Sequence, residues 1–433
     1  MITAYCILAI ILLVGIMIGF PVAFGVGVFS MIGAMMLYGD VLDPRVPTMI
    51  ARLAYDKINN FTLLAIPFFL LAGRLMNTGS LTERLFQFIS TLVRPVRGGL
   101  AHTNVIGSVV FAGMSGAAVA DVAGLGAIEL KAMVDQGYDR QFSAGLTGAS
   151  ALIGPIIPPS IPLVAYAVQA EVSVGAMFFG GVIPGLLLGL AFCIWVAYCA
   201  KRYNFPSGSP ASFHEIISAL KAGFLPLMTP VIIIGGIYTG IFTPTEAAAV
   251  VVVYAGFLSI VVYREFGKAT VVRAFRAAMV DSAVVMAIVA FTSAFGVIII
   301  RAHIPEALAE LLTQLTTDPT VLLLLFVVLW MVVGCFMSET PAVLILTPVL
   351  LPTAMQFGID PIHFGVVMIV TLTVGLLTPP VGMVLYVLVR VADLPFEKLL
   401  MPMVPYILIS LVVTVLLIVF PQLVLYLPGV LLT

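Results

Sequence analysis

Residues 145 to 166 read GLTGASALIGPIIPPSIPLVAY, and the reading of this stretch decides the fold. It is apolar enough for a bilayer, yet Pro155, Pro158, Pro159 and Pro162 fall within eight residues. Each proline removes a backbone donor and clashes with the preceding turn, so a membrane helix must break here into two halves. Broken backbone at membrane depth is tolerated only where protein buries it or it lines a wet cavity. The same design returns at residues 371 to 386, TLTVGLLTPPVGMVLY. Gly154 answers to Gly375, Pro158 to Pro379 and Pro159 to Pro380, each 221 residues on (375−154, 379−158, 380−159). Broken helices at matching places in two halves are the sequence mark of a solute site near mid-membrane.

Composition agrees. The 433 residues are 62% hydrophobic and 9% charged, with a mean hydropathy of +1.22. That balance belongs to a polytopic membrane protein embedded in a lipid bilayer. A net charge of −1 argues against nucleic acid as a partner. Cys6, Cys193, Cys199 and Cys335 form no CxxC pair, and the four histidines are scattered, so no metal cluster is expected. The first apolar segment lacks a basic leader and an A-x-A site and reads as a retained span.

Working outward from the two breaks, the chain divides into repeats at 1–200 and 221–433, joined by a polar linker at 201–220. In the first repeat, membrane helices occupy 1–76, with an interfacial stretch at 44–59, and an interfacial arm covers 80–98. A re-entrant hairpin follows at 99–133, its tip at Met114 to Ala118, then the broken helix at 140–170 and a span at 173–200. In the second repeat, helices fill 221–300, with a basic interfacial piece at 264–282 ahead of a span at 283–300. A second hairpin occupies 319–356, its tip at Met337 to Pro341, then come the broken helix at 361–391 and a span at 400–420. Its first arm is folded back by analogy with the first repeat.

Five full spans per half is an odd number, which requires the halves to be inverted in the membrane. On that topology one face collects Arg45, Arg52, Lys57 and Arg301, and the other takes the remaining fifteen of 19 basic residues. Positive charge favours the cytoplasm, so both termini are expected outside. Hairpin one then enters from the cytoplasm and hairpin two from the opposite face.

Inverted hairpins facing broken helices bring helix ends to the membrane centre. The half-helices that end near Gly154 and Gly375 offer unpaired carbonyls, suited to a bare cation. Those that begin near Ser160 and Val381, and the second hairpin arms near Ser115 and Thr340, offer N–H groups to a carboxylate. Ser115, Ser160, Ser338, Thr340 and Thr378 can add hydroxyl oxygens, as Na⁺ ligands, as substrate contacts, or simply as helix caps. Acidic residues at membrane depth are functional suspects. Asp121 and Glu339 either join a cation site or brace a hairpin. Glu246 has a structural reading, because Thr243, Pro244 and Glu246 spell a capping box with proline at the first helical position. Gly15/Gly19 and Gly185/Gly189 are GxxxG pairs for close helix packing.

Enzyme readings find little support. Gly113-Met114-Ser115-Gly116 could hold an intramembrane serine nucleophile, but that needs a histidine nearby, and His102 and His363 lie near segment ends. His214-Glu215 begins HExxH, yet Ser218 stands where the second histidine belongs. No GxxxxGK[ST] is present to hydrolyse ATP.

The stretches GMSGAAVADVAGLGAIELKAM (113–133), GPIIPPSIPLV (154–164), FTPTEAAAV (242–250), LILTPVLLP (344–352) and GLLTPPVGMVLYV (375–387) resemble the large membrane subunit of tripartite ATP-independent periplasmic (TRAP) transporters. The resemblance implies an all-α, elevator-type carrier that uses a Na⁺ gradient to import organic acids such as C4-dicarboxylates or sialic acids. It also implies a small four-helix membrane partner and a soluble periplasmic substrate-binding protein. Carried onto this chain, one cation site falls at Ser115 and Gly116 with Gly154 and Pro158. The other falls at Ser338, Glu339 and Thr340 with Gly375, Thr378 and Gly382. Ser338 stands where the family often has an acid, which leaves open whether it or Glu339 is the ligand. A single-component Na⁺/dicarboxylate symporter of similar architecture is the alternative.

Overall fold

In the computed structural model, residues 2–38, 45–78 and 81–432 are described; the expected starts of the interfacial stretches at residues 44 and 80, and both terminal residues, lie outside them. Among the described residues every regular element is helical. Six helices among these residues, or eight if each of two bent pairs is one span, are long and apolar enough to cross a membrane, the six being Val174–Arg202, Phe213–Tyr238, Pro244–Val262, Lys268–Arg301, Pro319–Phe336 and Phe396–Val419. A helix satisfies its own backbone, which lipid cannot do, so the apolar composition and the all-helical fold are one constraint seen twice.

Helix starts follow capping chemistry. Asp139 accepts from the Phe142 N–H at 2.8 Å and opens Arg140–Ser150. Its counterpart 221 residues on (360−139), Asp360, accepts from Ile362 N at 2.8 Å and His363 N at 3.1 Å and opens Pro361–Gly375. Thr243 and Glu246 form the capping box read in the sequence, with Glu246 Oε2 2.8 Å from the Thr243 N–H.

Two elements differ from the sequence reading. The basic piece at 264–282 and the span at 283–300 are one 34-residue helix, Lys268–Arg301. At 1.5 Å per residue that is roughly 51 Å, long enough to cross the bilayer and project beyond it. Basic side chains in its first turns suggest an interface, but no proline or glycine between Ala269 and Phe295 stops the helix. A further short helix, Gln422–Leu431, follows the last span and packs against Val174–Arg202.

The long helix is the spine on which other elements meet. It packs against Val22–Tyr38, Arg45–Ile58, Ala65–Thr78 and the hairpin helix Glu339–Gln356. Around the breaks the two halves interlock reciprocally. Ile161–Ala170, after the first break, packs against Glu339–Gln356. Met383–Ala392, after the second, packs against the helical run 118–135 of hairpin one. Each second half-helix therefore leans on the other half's hairpin.

Candidate functional site

The first hairpin turns where the sequence places it. Gly99–Ser115 and Ala118–Asp135 are bent by 120°. The turn needs Gly116, whose φ of 62° is left-handed. A Cβ there would stand 2.6 Å from the Pro159 carbonyl oxygen, so the tip lies directly on the first break. Gly154 answers from the break, its Cβ position 3.6 Å from the Ala117 carbonyl carbon. After Arg140–Ser150 the chain tightens through a 3₁₀ turn, Ala151–Ile153, and loses helical form until Ser160 caps Ile161–Ala170. The Ser160 hydroxyl accepts from the Leu163 N–H at 3.3 Å and donates to the Pro155 carbonyl. Thus one of the expected ligands is a cap that also ties the break closed.

The helices read as the second hairpin, Pro319–Phe336 and Glu339–Gln356, make a corresponding contact with different atoms, and the first of them is by itself long and apolar enough to cross a membrane. Gly334, one turn before the tip, meets Gly375 backbone to backbone; a Cβ on Gly375 would stand 2.6 Å from the Gly334 Cα. The Gly382 N–H donates to the Cys335 carbonyl at 2.9 Å. Gly382 has a φ of 59°, and its missing side chain leaves the Leu376 and Thr378 carbonyl oxygens 3.0 and 3.1 Å from the Cβ position. Thr378 Oγ1 donates to the Val374 carbonyl at 3.2 Å and keeps its lone pairs. Ser338 opens Glu339–Gln356 without a side-chain cap bond, and Glu339 and Thr340 are buried beside it.

The residue set therefore divides into two clusters. Ser115, Gly116, Gly154, Pro158 and Ser160 gather at one junction of hairpin and break. Gly375, Thr378 and Gly382 gather at the other, with Ser338, Glu339 and Thr340 following at the hairpin tip. Ser115 Oγ is buried and has no hydrogen-bond partner. An orphaned hydroxyl beside an irregular run of backbone is the donor set a hard monovalent cation would use. The junctions differ in access. Residues 151–160 are all buried, whereas Pro379 and Pro380 are exposed, so the second break is open where the first is sealed. The peptide bonds Pro158–Pro159 and Pro379–Pro380 are both cis. Glu246 stands apart from both clusters, exposed and engaged in its capping box.

Sequence reading missed three features. Asn104, on arm one of hairpin one, donates to Thr147 Oγ1 at 2.8 Å and accepts from Ser150 Oγ at 2.6 Å, tying hairpin to break. The polar pair Asn104 and Ser108, four residues apart in an apolar arm, was the available signal. Glu129, in arm two, is fully buried. Finally, a cavity of about 600 Å³ opens between Arg45–Ile58, Lys268–Arg301, Glu339–Gln356 and the end of Ile161–Ala170. Lys57, Asn60, Gln169, Ser293 and Thr347 give it a polar lining. Lys57 reaches across to donate to the Val168 carbonyl at 3.1 Å, with Glu171 at 3.9 Å.

Helical arms seated on broken helices, within a strongly apolar chain whose described elements are all helical, define a membrane transporter. The fold is similar to that of the Alcanivorax borkumensis YdaH transporter, whose crystal structure has an unusual topology. The TM-score is 0.64 at 17% identity, covering 88% of this chain and 90% of that one. Residues 9–423 match the family described as tripartite ATP-independent periplasmic transporter, DctM component. The chain is 45% identical to the sialic acid TRAP transporter large permease protein SiaM of Vibrio cholerae, over 86% of this chain and 87% of that one. It is 38% identical to the C4-dicarboxylate TRAP transporter large permease protein DctM of Pseudomonas aeruginosa, over 87% and 88%. It is also 38% identical to the 2,3-diketo-L-gulonate TRAP transporter large permease protein YiaN of Escherichia coli, over 92% of each. This chain belongs to the DctM family of TRAP transporter large permeases.

Proposed function

We propose that this subunit imports an organic acid by coupling its movement to a Na⁺ gradient. One observation carries the reading: a hairpin meets each broken helix, at the first tip through Gly116 on Pro159 and, one turn before the second tip, through Gly334 on Gly375. Sodium held at Ser115, Gly116, Gly154 and Pro158, and at Ser338, Glu339, Thr340, Gly375, Thr378 and Gly382, would order both tips. The ordered tips would then present helix N-termini, with the hydroxyls of Ser115, Ser160, Ser338, Thr340 and Thr378, to a carboxylate. The named relatives carry sialic acid, C4-dicarboxylates or 2,3-diketo-L-gulonate, all organic acids, which supports that substrate class.

In this reading the hairpins and broken helices, residues 99–200 and 319–421, move as one body against a scaffold of residues 1–76 and 221–300. The two halves would be inverted repeats, with both termini on the periplasmic side of the bacterial inner membrane. A small four-helix membrane subunit would complete the scaffold, and a soluble periplasmic binding protein would deliver the substrate. The cavity beside Lys57 lies between the two bodies and would be remodelled as they slide.

Uptake into proteoliposomes holding this chain and its small subunit tests the proposal. Accumulation of a labelled organic acid is expected with an inward Na⁺ gradient and loaded binding protein, and not with K⁺ in its place. Accumulation without the binding protein would instead indicate a single-component symporter. Uptake indifferent to Na⁺ would refute the coupling.

A further inference from the structure

Two acids lie inside arm two of hairpin one, beyond its tip. Asp121 and Glu129 are each 1% exposed, and no oxygen of either carboxyl has a hydrogen-bond partner. Between them the helix widens into a π-turn, Val122–Gly126. A π-turn absorbs one extra residue, so the eight-residue spacing acts as about seven α-helical steps. At 3.6 residues per turn that is close to two turns, which returns both side chains to one stripe of the helix.

Arm one faces that stripe. Glu129 Oε1 stands 2.7 Å from where a Cβ on Gly107 would lie, so the carboxyl occupies space that a side chain at residue 107 would take. Ser108, the next residue, turns its hydroxyl toward Asp121. From Ala65–Thr78, Asn77 directs an unpartnered Oδ1 at the π-turn, 2.9 Å from the Cβ position of Gly124.

The charged groups on the surrounding elements are placed elsewhere. Arg74 pairs with Asp281 at 2.6 Å, Arg84 with Glu265 at 3.6 Å and Arg140 with Asp393 at 3.9 Å. Glu83, Lys131, Asp135 and Arg390 are exposed, and His102 is buried on arm one. Among the described residues, Asp121 is the charged group that acts on Glu129. Two negative charges buried with no paired cation among the described residues, and with only the Ser108 hydroxyl turned toward them, are untenable in a low-dielectric interior. A positive charge must therefore reside with them. Sodium could draw only on the two carboxyls, Asn77 Oδ1 and the Ser108 hydroxyl, because the run 118–135 is helical throughout and its backbone carbonyls serve the helix. A proton needs a single oxygen.

We propose that Glu129 and Asp121 hold one exchangeable proton within the wall of hairpin one, a proton-binding site separate from both hairpin tips. The site goes beyond sodium coupling and does not depend on it.

Infrared difference spectroscopy on the purified full-length chain tests this, using the carbonyl stretch of a protonated carboxyl group as the readout. The wild type at neutral pH in KCl is expected to show that band, shifted by exchange into D₂O and abolished on titration to high pH. Glu129→Gln is expected to lose it, and Asp121→Asn to lose it or change its pH midpoint at least tenfold in proton concentration. A wild type without the band overturns the proposal even if neither variant folds, as does a band unchanged in both variants. If the band is absent and NaCl raises Tm over KCl in the wild type but not in Glu129→Gln, the carboxyls hold sodium and the proton assignment fails. Because the measurement reads the carboxyl itself, its failure leaves the transport reading untouched.

Discussion

Gly334 and Gly375 touch backbone to backbone, and no other residue fits at either place. A Cβ on Gly375 would lie 2.6 Å from Gly334 Cα and 2.7 Å from its carbonyl carbon. A side-chain tip can swing aside, whereas two backbones cannot without moving a helix. Gly375→Ala should therefore unseat hairpin two, at a cost of about 1–3 kcal/mol of overpacking. The expected result is a lower Tm and loss of most Na⁺-driven uptake. Wild-type uptake and Tm in Gly375→Ala would show that the tip need not seat on the break.

Ser115 separates ligand from cap. Its hydroxyl is buried and makes no hydrogen bond, so nothing in the fold requires it. If Na⁺ uses this oxygen, Ser115→Ala should raise the Na⁺ concentration for half-maximal uptake by roughly tenfold, about 1.4 kcal/mol of lost ligation. Tm in K⁺ should stay near the wild-type value. An unchanged Na⁺ dependence would remove Ser115 from the site.

Much of this is legible in the amino-acid sequence. Single prolines such as Pro184, Pro226 and Pro348 lie within continuous helices, but the paired Pro158-Pro159 and Pro379-Pro380 stop both half-helices and announce the breaks. What stayed hidden depends on neighbours rather than on local pattern. The basic residues of Lys268–Arg301 suggest an interfacial piece, while the absence of breakers lets one helix run through. Glu129 looks like part of a solvated charge pattern beside Lys131, and only the π-turn rotates it inward. The role of Gly185 in admitting the side chain of Ile157, part of the first break, likewise required the fold.

Lys57 bridges the two proposed bodies. Its ammonium donates to the Val168 carbonyl near the end of Ile161–Ala170, where a cation also suits the helix dipole. The accompanying ion pair with Glu171 is weak, because that carboxylate is 86% exposed. Lys57→Met keeps the aliphatic stem and deletes the charge-assisted bond, worth about 1.5 kcal/mol. The position seen here should then lose roughly tenfold in population relative to its alternative. Spin labels at residues 58 and 171 would report it as a redistribution between two distances. A single unchanged distance would mean that Lys57 is not a latch.

Asn104 tests whether hairpin one and the first break move as one body. Its amide spans both, donating to Thr147 at 2.8 Å and accepting from Ser150 at 2.6 Å, in a fully buried setting. Removing it leaves Thr147 Oγ1 without its donor, while Ser150 can still donate to the Thr147 carbonyl at 3.1 Å. Asn104→Ala should cost about 1–3 kcal/mol through the unsatisfied groups and the lost volume. Asn104→Asp keeps the shape and the acceptor but replaces the donor with a buried negative charge, and it should be worse. If the tie only stabilises the fold, cooling should restore uptake to both variants as they refold. If it transmits movement, Asn104→Ala should remain folded by Tm yet carry substrate at a fraction of the wild-type rate, with its Na⁺ dependence unchanged. The two variants measured together at two temperatures separate these outcomes.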